Sequence, residues 1–424
     1  MLMPNRRPAS GVALICITLA APLNAQHAGH DISAMSADSA VRPMTHMMAQ
    51  AVPVLTRALP TAGGGDRTQA ALTQLVVMGR AVFLRGRGEL NVALNGEGLT
   101  MPDGELNTGA YGEGYVDRRH PHTYVHELML TGRGSAGPLS YSATAGRGFA
   151  SFGTDDPMLR RLVKYPINHH LAQILERGAL VGALRLGPAI VEGSTFGGDE
   201  PQYPSSVPRA SRFGDSWSAR ATLLPAAGIE FQASYARVAS PEETGGHGLD
   251  QRKQSISARM ESGSGNRYLL AEWARTLERD HDSNLNVFGY ESALVEGLAR
   301  AGPVGVALRL EQTERPEEER LSDPWRTPRP ASDLSINGIT RWRVATLQLA
   351  APAVTRGAVS GFPFVEVGRL FAASRDPRYL VTPQRLYGTS HFWMITAGVR
   401  LTAGNAHSRM GRYGVALPTT SMTH

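Results

Sequence analysis

Five segments of this chain alternate apolar and polar residues with a period of two, and the connections between them are sorted by length. Trp217, Ala219, Ala221 and Leu223 oppose Ser216, Ser218, Arg220 and Thr222. Ile229, Phe231, Ala233 and Tyr235 oppose Glu230, Gln232 and Ser234. Ile256, Ala258 and Met260 oppose Ser255, Ser257 and Arg259. Val304, Val306, Leu308 and Leu310 oppose Ala307, Arg309 and Glu311. Trp393, Ile395, Ala397, Val399 and Leu401 oppose Met394, Thr396 and Arg400. Successive side chains of a strand point to opposite faces, so each segment reads as a strand with one apolar and one polar face. Short turns at 225–228, 262–266 and 300–303 alternate with long polar loops at 198–214, 239–251, 277–286 and 314–337. A soluble sandwich has no reason to sort its connections this way. A transmembrane β-barrel does, with short periplasmic turns and longer outer loops.

The expected fold is therefore all-β, a single antiparallel transmembrane β-barrel. Alternation carried along the chain places strands near 46–58, 69–82, 88–98, 122–132, 138–147, 173–186, 189–197, 215–224, 229–238, 252–261, 267–276, 287–299, 304–313, 338–350, 361–372 and 390–402. That is about sixteen strands, or fourteen if the weak first strand and the long 351–360 turn are drawn differently. In hydrocarbon every backbone N–H and C=O must be paired, and a closed sheet does so without an edge. Aromatic residues are 7 % of the chain, so the interfacial girdles are expected to be thin.

The N-terminus has basic Arg6 and Arg7, an apolar core from Gly11 to Leu19 and a small residue, Ala25, before Gln26. This reads as a signal peptide, residues 1–25, directing export to the outer membrane. A flexible His/Met-containing segment is expected at 26–45, the barrel at 46–402 and a C-terminal tail at 403–424. The only cysteine, Cys16, lies inside the signal peptide, so the exported chain has no disulfide and no thiolate metal site. Net charge is +6 without clustering, which gives no nucleic-acid footprint. The expected partners are the lipid bilayer and small solutes; the sequence leaves the oligomeric state open.

The stretch "DRRHPHTYVHE" packs Asp117, His120, His122, His126 and Glu127 into eleven residues at the end of a long loop. In an extended chain at ~3.3 Å per residue, His120 and His126 lie ~20 Å apart, too far to share one ion. His120 and His122 remain a candidate pair. A second pair, His169 and His170, sits at the end of the next long loop. The six residues Asp117, His120, His122, Glu127, His169 and His170 are read as either a metal or ligand site or a hydrogen-bonded loop clamp.

The segments "EGYVDRRHPHTYVHEL", "PINHHLAQI" and "IVEGSTFGGDEP" resemble a family of uncharacterised Gram-negative outer-membrane barrel proteins. That family carries a D-R-Q-H-P-H-D block followed by E-L, a P-L-x-H-H-x-x-D-S-T-H block and an E-G-S-x-F-N-G-R-E-P-D-E block. Asp117, Arg118, His120, Pro121, His122, Glu127, His169, His170, Glu192, Gly193, Phe196, Glu200 and Pro201 match, with weaker agreement onward to "SRMGRYG". Thr123 stands at the family's Asp after H-P-H, Gln173 and Glu176 at the Asp and His of the second block, and Gly197 at an Asn. The resemblance implies fold and location; a site completed by those polar residues would be altered here.

His27, His30, Met44, His46, Met47 and Met48 form an N-terminal set whose thioethers and imidazoles suit copper. Copper or zinc is thus the one cofactor class the sequence raises; otherwise none is expected. No G-x-S-x-G elbow, P-loop, H-E-x-x-H or EF-hand appears, and the chain is not expected to be an enzyme. The charged, proline-rich stretch Thr313 to Pro330 reads as a solvated outer loop. Arg220, Glu230, Arg259, Arg309 and Glu311 fall on the inward faces. Barrels of 16–18 strands leave an aqueous channel. The leading expectation is porin-like passage of small solutes, with the inward arginines favouring anions. The alternative is a non-conducting barrel with a His-lined metal- or ligand-binding mouth.

Overall fold

A computed structural model of the chain describes residues 44–60, 65–101, 104–106, 122–167, 169–243, 245–262, 267–318, 336–376, 382–404 and 409–417. The expected signal peptide and the segment up to residue 43 lie outside the described residues, as do Asp117 and His120.

One antiparallel sheet makes the wall. Its strands are β1 (Met44–Leu59), β2 (Arg67–Phe83), β3 (Gly88–Asn95), β4 (Val125–Ala136), β5 (Leu139–Gly148), β6 (Arg177–Leu186), β7 (Ala189–Gly197), β8 (Phe213–Ala226) and β9 (Ile229–Val238). They continue as β10 (Asp250–Glu261), β11 (Tyr268–Arg279), β12 (Asn286–Ala301), β13 (Val304–Glu318), β14 (Ile336–Ala350), β15 (Val354–Arg356), β16 (Val359–Ser374) and β17 (His391–Gly404). Each long strand pairs with its sequence neighbours, and β1 pairs with β17 from Met48↔Gly404 to Leu59↔Trp393, which closes the cylinder. β15 is a three-residue ladder that tightens the 351–360 turn against β16, while β14 pairs directly with β16. Sixteen strands therefore form the barrel.

The alternation read from the sequence sets which face meets lipid. Trp217, Leu223, Phe231, Ile256, Met260, Leu308, Leu310, Trp393 and Ile395 are exposed on the outside, all between 41 % and 55 %. An apolar surface this extensive is out of place in water and fits hydrocarbon. The opposite face is polar yet buried: Ser218, Arg220, Thr222, Gln232, Glu272, Glu296, Gln348, Glu366 and Thr396 are all at or below 9 % exposure. What covers them is the chain itself.

Two boundary differences mark where the chain leaves the wall. Residues 122–124 and 173–176, expected in strands, lie outside β4 and β6. At the start of β4 the pairing with β3 slips, Ala93 facing Glu127 but Leu94 facing Val125. This bulge leaves His126 as the extra residue, so His126 and Glu127, adjacent in sequence, are both buried rather than split between the two faces.

Candidate functional site in the barrel lumen

The connection from β5 to β6, residues 149–176, folds into the barrel instead of standing above it. Among its described residues it carries no strand and two short 3-10 turns, Pro157–Leu159 and His169–Ala172. An irregular buried segment must find partners for its backbone polar groups, and here the wall supplies them. Ser151 N–H donates to Ser194 Oγ at 3.1 Å and Gly153 N–H to Ser234 Oγ at 2.9 Å. Gly153 C=O accepts from Arg220 at 3.2 Å and from Gln232. Val163 and Lys164 N–H donate to Glu366 at 2.8 and 3.0 Å, and Ile167 N–H to Glu311 at 3.1 Å. Arg309 donates to Lys164 C=O at 2.6 Å, and Gln50 to Met158 C=O at 3.3 Å. These anchors come from strands all around the cylinder, so the inward loop is fastened on every side.

All five expected lumen charges face inward, and each is paired. Arg220 grips Glu192 through two nitrogens at 2.6 and 2.7 Å. Arg259 meets Asp155 of the inward loop at 2.9 and 3.0 Å and Glu261 at 3.0 Å. Arg309 lies 3.3 Å from Glu296 and 3.2 Å from Glu311. Burial alone would raise Asp155, but Arg259, Arg160 and Arg409 beside it hold its carboxyl well below the ordinary range. A guanidinium matched to a carboxylate adds little net field, so these arginines anchor the lumen filling and do not by themselves make a free anion-attracting surface.

The second filling comes from the stretch 403–424, which the sequence presents as a C-terminal tail. Residues 409–417, just beyond β17, lie inside the lumen against β4 to β9. Arg409 pairs with Glu230 at 2.8 and 3.0 Å. Arg412 reaches Glu230 at 2.9 Å, Thr222 at 2.9 Å, Gln232 at 3.2 Å and Glu192 at 3.3 Å. Arg220 donates to Gly411 C=O at 2.8 Å, and Tyr413 Oη accepts from Phe149 N–H at 3.0 Å. Gly411 and Gly414 hold φ of +79° and +54°, turning the segment where a side chain would press on Phe149 or Ser142. The sequence signal for this was slight: two arginines three apart around a glycine, in "RMGRYG".

The histidines converge at the other end of the inward loop. His122 Nδ1 lies 2.8 Å from Glu97 Oε2, in the short helix α1 (Glu97–Thr100) after β3. Burial pulls His122 down, but the Glu97 hydrogen bond and charge outweigh it, and its pKa is raised; Glu97 is lowered by the same pairing against its own burial. His126 has Glu176 Oε1 2.6 Å from Nδ1 and Asp156 Oδ2 3.2 Å from Nε2. Ionised carboxylates only accept, so both ring nitrogens donate and the ring is an imidazolium. It staples two points of the inward loop, Asp156 and Glu176, to β4. The rings of His122 and His126 are 5.4 Å apart, and His122 and His169 6.4 Å, so the two histidine blocks do meet. His170 stacks 4.3 Å from His169, and Glu127 faces Tyr413 and Gly411 on the side of the C-terminal segment.

The nitrogens of His126 and Nδ1 of His122 are thus committed to carboxylates, and among the described residues no group of three or more His, Cys, Asp and Glu is arranged to hold a metal ion. Of the N-terminal copper set, His27 and His30 lie outside the described residues, and Met44 and His46 begin β1. Met47 is 60 % exposed while Met48 is buried, as neighbours on a strand must be. Two small clefts open among the described residues. A cleft of about 20 Å³ opens beside His122, His170, Gln173, Glu200 and Lys253, and another of about 10 Å³ lies between Arg160, Gln173, Glu272 and Ser292. Such volumes are of the order of one water.

A closed sixteen-strand wall with a long loop folded inward can be compared with solved structures. An anion-selective porin from Comamonas acidovorans superposes with a TM-score of 0.52 over 85 % of this chain and 100 % of its own, at 10 % identity. The fold is that of the outer-membrane porins. Also similar in outline are the outer membrane channel DcaP of Acinetobacter baumannii, TM-score 0.47, 9 % identity, covering 86 % of this chain and 98 % of its own, and OccK2 of Pseudomonas aeruginosa in complex with glucuronate, TM-score 0.39, 10 % identity, covering 85 % and 98 %. No protein-family model matches the sequence, and no curated protein matches it.

Proposed function

We propose that this protein resides in the outer membrane as a porin-like barrel and passes small solutes along a route narrowed by its own lumen filling. The observation that carries this reading is the wall itself: sixteen strands, a width that leaves an aqueous channel in barrels of this size, apolar outside and polar inside. The inward loop and the C-terminal segment then set how much of that channel is open. In planar lipid bilayers the purified, folded protein should give small discrete current steps. A folded protein that gives no steps over a wide range of voltage and pH would overturn the reading.

The paired charges and water-sized clefts favour a second reading, a non-conducting barrel whose histidine blocks clamp the mouth or hold a metal. Retention of copper or zinc after dialysis, lost on His120→Ala with His122→Ala, would support the metal form of that reading. Nothing in either reading calls for turnover of a substrate.

A further inference from the structure

The C-terminal segment is bound in a way that a structural tail does not need to be. Wall closure ends at Gly404, opposite Met48, so no residue of 409–417 contributes to the sheet. Its hold on the barrel is that of a ligand on a receptor. Two guanidiniums converge on Glu230, one also reaches Glu192, a tyrosine hydroxyl caps Phe149 N–H, and Val415 N–H donates to Ser142 Oγ at 3.2 Å. Met410, Tyr413 and Ala416 are buried between these polar contacts at 2 % exposure each. Without the segment, Glu230 would lose both guanidinium partners and Glu192 would keep only Arg220. The wall of β7 to β9 would then present excess negative charge on a polar groove, complementary to a short basic peptide.

From this we infer that the inner wall around Glu192 and Glu230 is a binding site for a basic, tyrosine-containing peptide, and that residues 409–417 are its tethered occupant, closing this half of the lumen. The inference rests on the porin-like reading only for its effect on conductance; the binding site stands apart from it. A tethered ligand binds at high effective concentration, so the site is full in the intact chain and can be probed only when the tether's own arginines are removed.

The test uses the full-length chain carrying Arg409→Gln and Arg412→Gln, checked for folding by heat-modifiable mobility. The probe is a fluorescein-labelled peptide of residues 409–417, Arg-Met-Gly-Arg-Tyr-Gly-Val-Ala-Leu. The variant should bind it saturably and release it to unlabelled peptide, while the wild-type chain binds none. Replacing both arginines of the peptide by glutamine, or adding Glu192→Gln and Glu230→Gln to the barrel, should weaken binding by about tenfold or more. A folded variant that binds no peptide, or binds the glutamine peptide equally well, overturns the site. If the double-arginine variant does not fold, Glu230→Gln in the otherwise intact chain is digested with trypsin: faster cleavage after Arg409 and Arg412 than in wild type supports the site, and equal protection overturns it. In planar bilayers the variant should conduct more than wild type, and peptide added from one side should restore the lower current. Peptide binding in barrels that never conduct would leave the site standing and remove the porin reading; unchanged conductance with no peptide binding would do the reverse.

Discussion

Two segments fill this lumen, and they are held differently. The inward loop is tied into the wall at both ends, by β5 and β6, and its backbone is fastened to β1, β7, β9, β13 and β16. It also brings its own apolar contacts: Phe149, Phe152, Met158 and Tyr165 share a buried cluster with Met129, Val181 and Phe196 of the wall. The C-terminal segment has one covalent attachment; Arg409 and Arg412 supply its ion pairs, and Met410 and Tyr413 join the same buried cluster. The first is continuous with two wall strands, β5 and β6; the second is continuous with none but β17 and adds no residue to the sheet.

A pair of glycine substitutions should separate them most sharply. Gly153 holds φ +65°, and a Cβ there would meet Ala172 C=O at 1.6 Å. Gly153→Ala should therefore displace the loop and lose its anchors to Ser234, Gln232 and Arg220, at a cost of about 4 kcal/mol or more, read as a lower midpoint of heat-modifiable unfolding. Gly411→Ala, at φ +79° with Phe149 at 3.2 Å, should cost about 1–2 kcal/mol and fall on the tail alone. Wall unfolding would stay near wild type while trypsin cut faster after Arg409 and Arg412. Equal effects of the two substitutions on wall stability would erase the distinction.

Asp155 is where the charges of the two segments touch, since it pairs with Arg259 and lies 3.7 Å from Arg409, in addition to the Phe149–Tyr413 contact. Removing one partner of a buried pair typically costs about 3–5 kcal/mol. Asp155→Asn should fall at the low end of that range, because Arg259 keeps Glu261. A double-mutant cycle of Asp155→Asn with Arg409→Gln should show coupling of about 0.5–1 kcal/mol; additivity would mean that the segments fill the lumen independently.

The wall could be read before the structure because lipid and lumen impose a period of two on every strand; the lumen filling imposes none. The inward loop finds its partners at separations such as Val163 to Glu366 or Lys164 to Arg309, distances along the chain that no local pattern encodes. Residues 173–176 carried enough apolar character, in Ile174 and Leu175, to be read as the start of β6, but they are buried against the loop's own cluster. His126 shows the same limit on a smaller scale. Strict parity would have put it and Glu127 on opposite faces, and only the slip against Ala93 and Leu94 brings both inside. The inward face carries long acceptors and donors such as Glu366, Glu311, Glu296 and Gln348, which suit a lumen that must satisfy another segment's backbone. The sequence offers the pairs His120/His122 and His169/His170 and sets His126 apart, whereas His122, His126 and His169 lie together in the fold. The staple form is not legible in the sequence, because Glu97, Asp156 and Glu176 come from three separate places in it.

The staple gives a pH prediction that sets the loop apart from the tail. Burial raises Asp156 and Glu176, but the His126 imidazolium more than offsets it, and both carboxyls titrate below their ordinary values of about 4. A depressed carboxyl contributes stability that is present above the unfolded pKa and is lost as pH falls through the lower, folded pKa. The loop should thus remain fastened at pH 5 and release only in more acid solution, below about pH 4. His126→Leu removes the charge that holds both carboxyls down, so the loop should already be looser than wild type at pH 5, where the carboxylates are ionised and unpaired, and acidification should cost it less than it costs wild type. Resistance of the 149–176 segment to pepsin, followed between pH 2 and pH 5, would measure it. An unchanged acid midpoint in His126→Leu would show that the wall contacts to Glu366 and Glu311 hold the loop without the staple.

The smallest expected effect is that of salt, and it falls on the tail. At 1 M ionic strength the screening length is about 3 Å, but buried pairs are screened far less than exposed ones. Arg412 is 3 % exposed and Arg409 9 %, so salt reaches the segment mainly while it is transiently out of its groove. There it weakens recapture, because the guanidiniums and the glutamates they seek are then both in water. Trypsin cleavage after Arg409 should accelerate by a factor of a few between about 0.05 and 1 M NaCl, while the inward loop, tied into the wall at both ends and with its ion pairs to Arg259 and His126 buried, keeps its resistance. If the loop loosened with salt as much as the tail, the electrostatic difference between them would be absent, and attachment at one end or two would be all that distinguishes the two fillings.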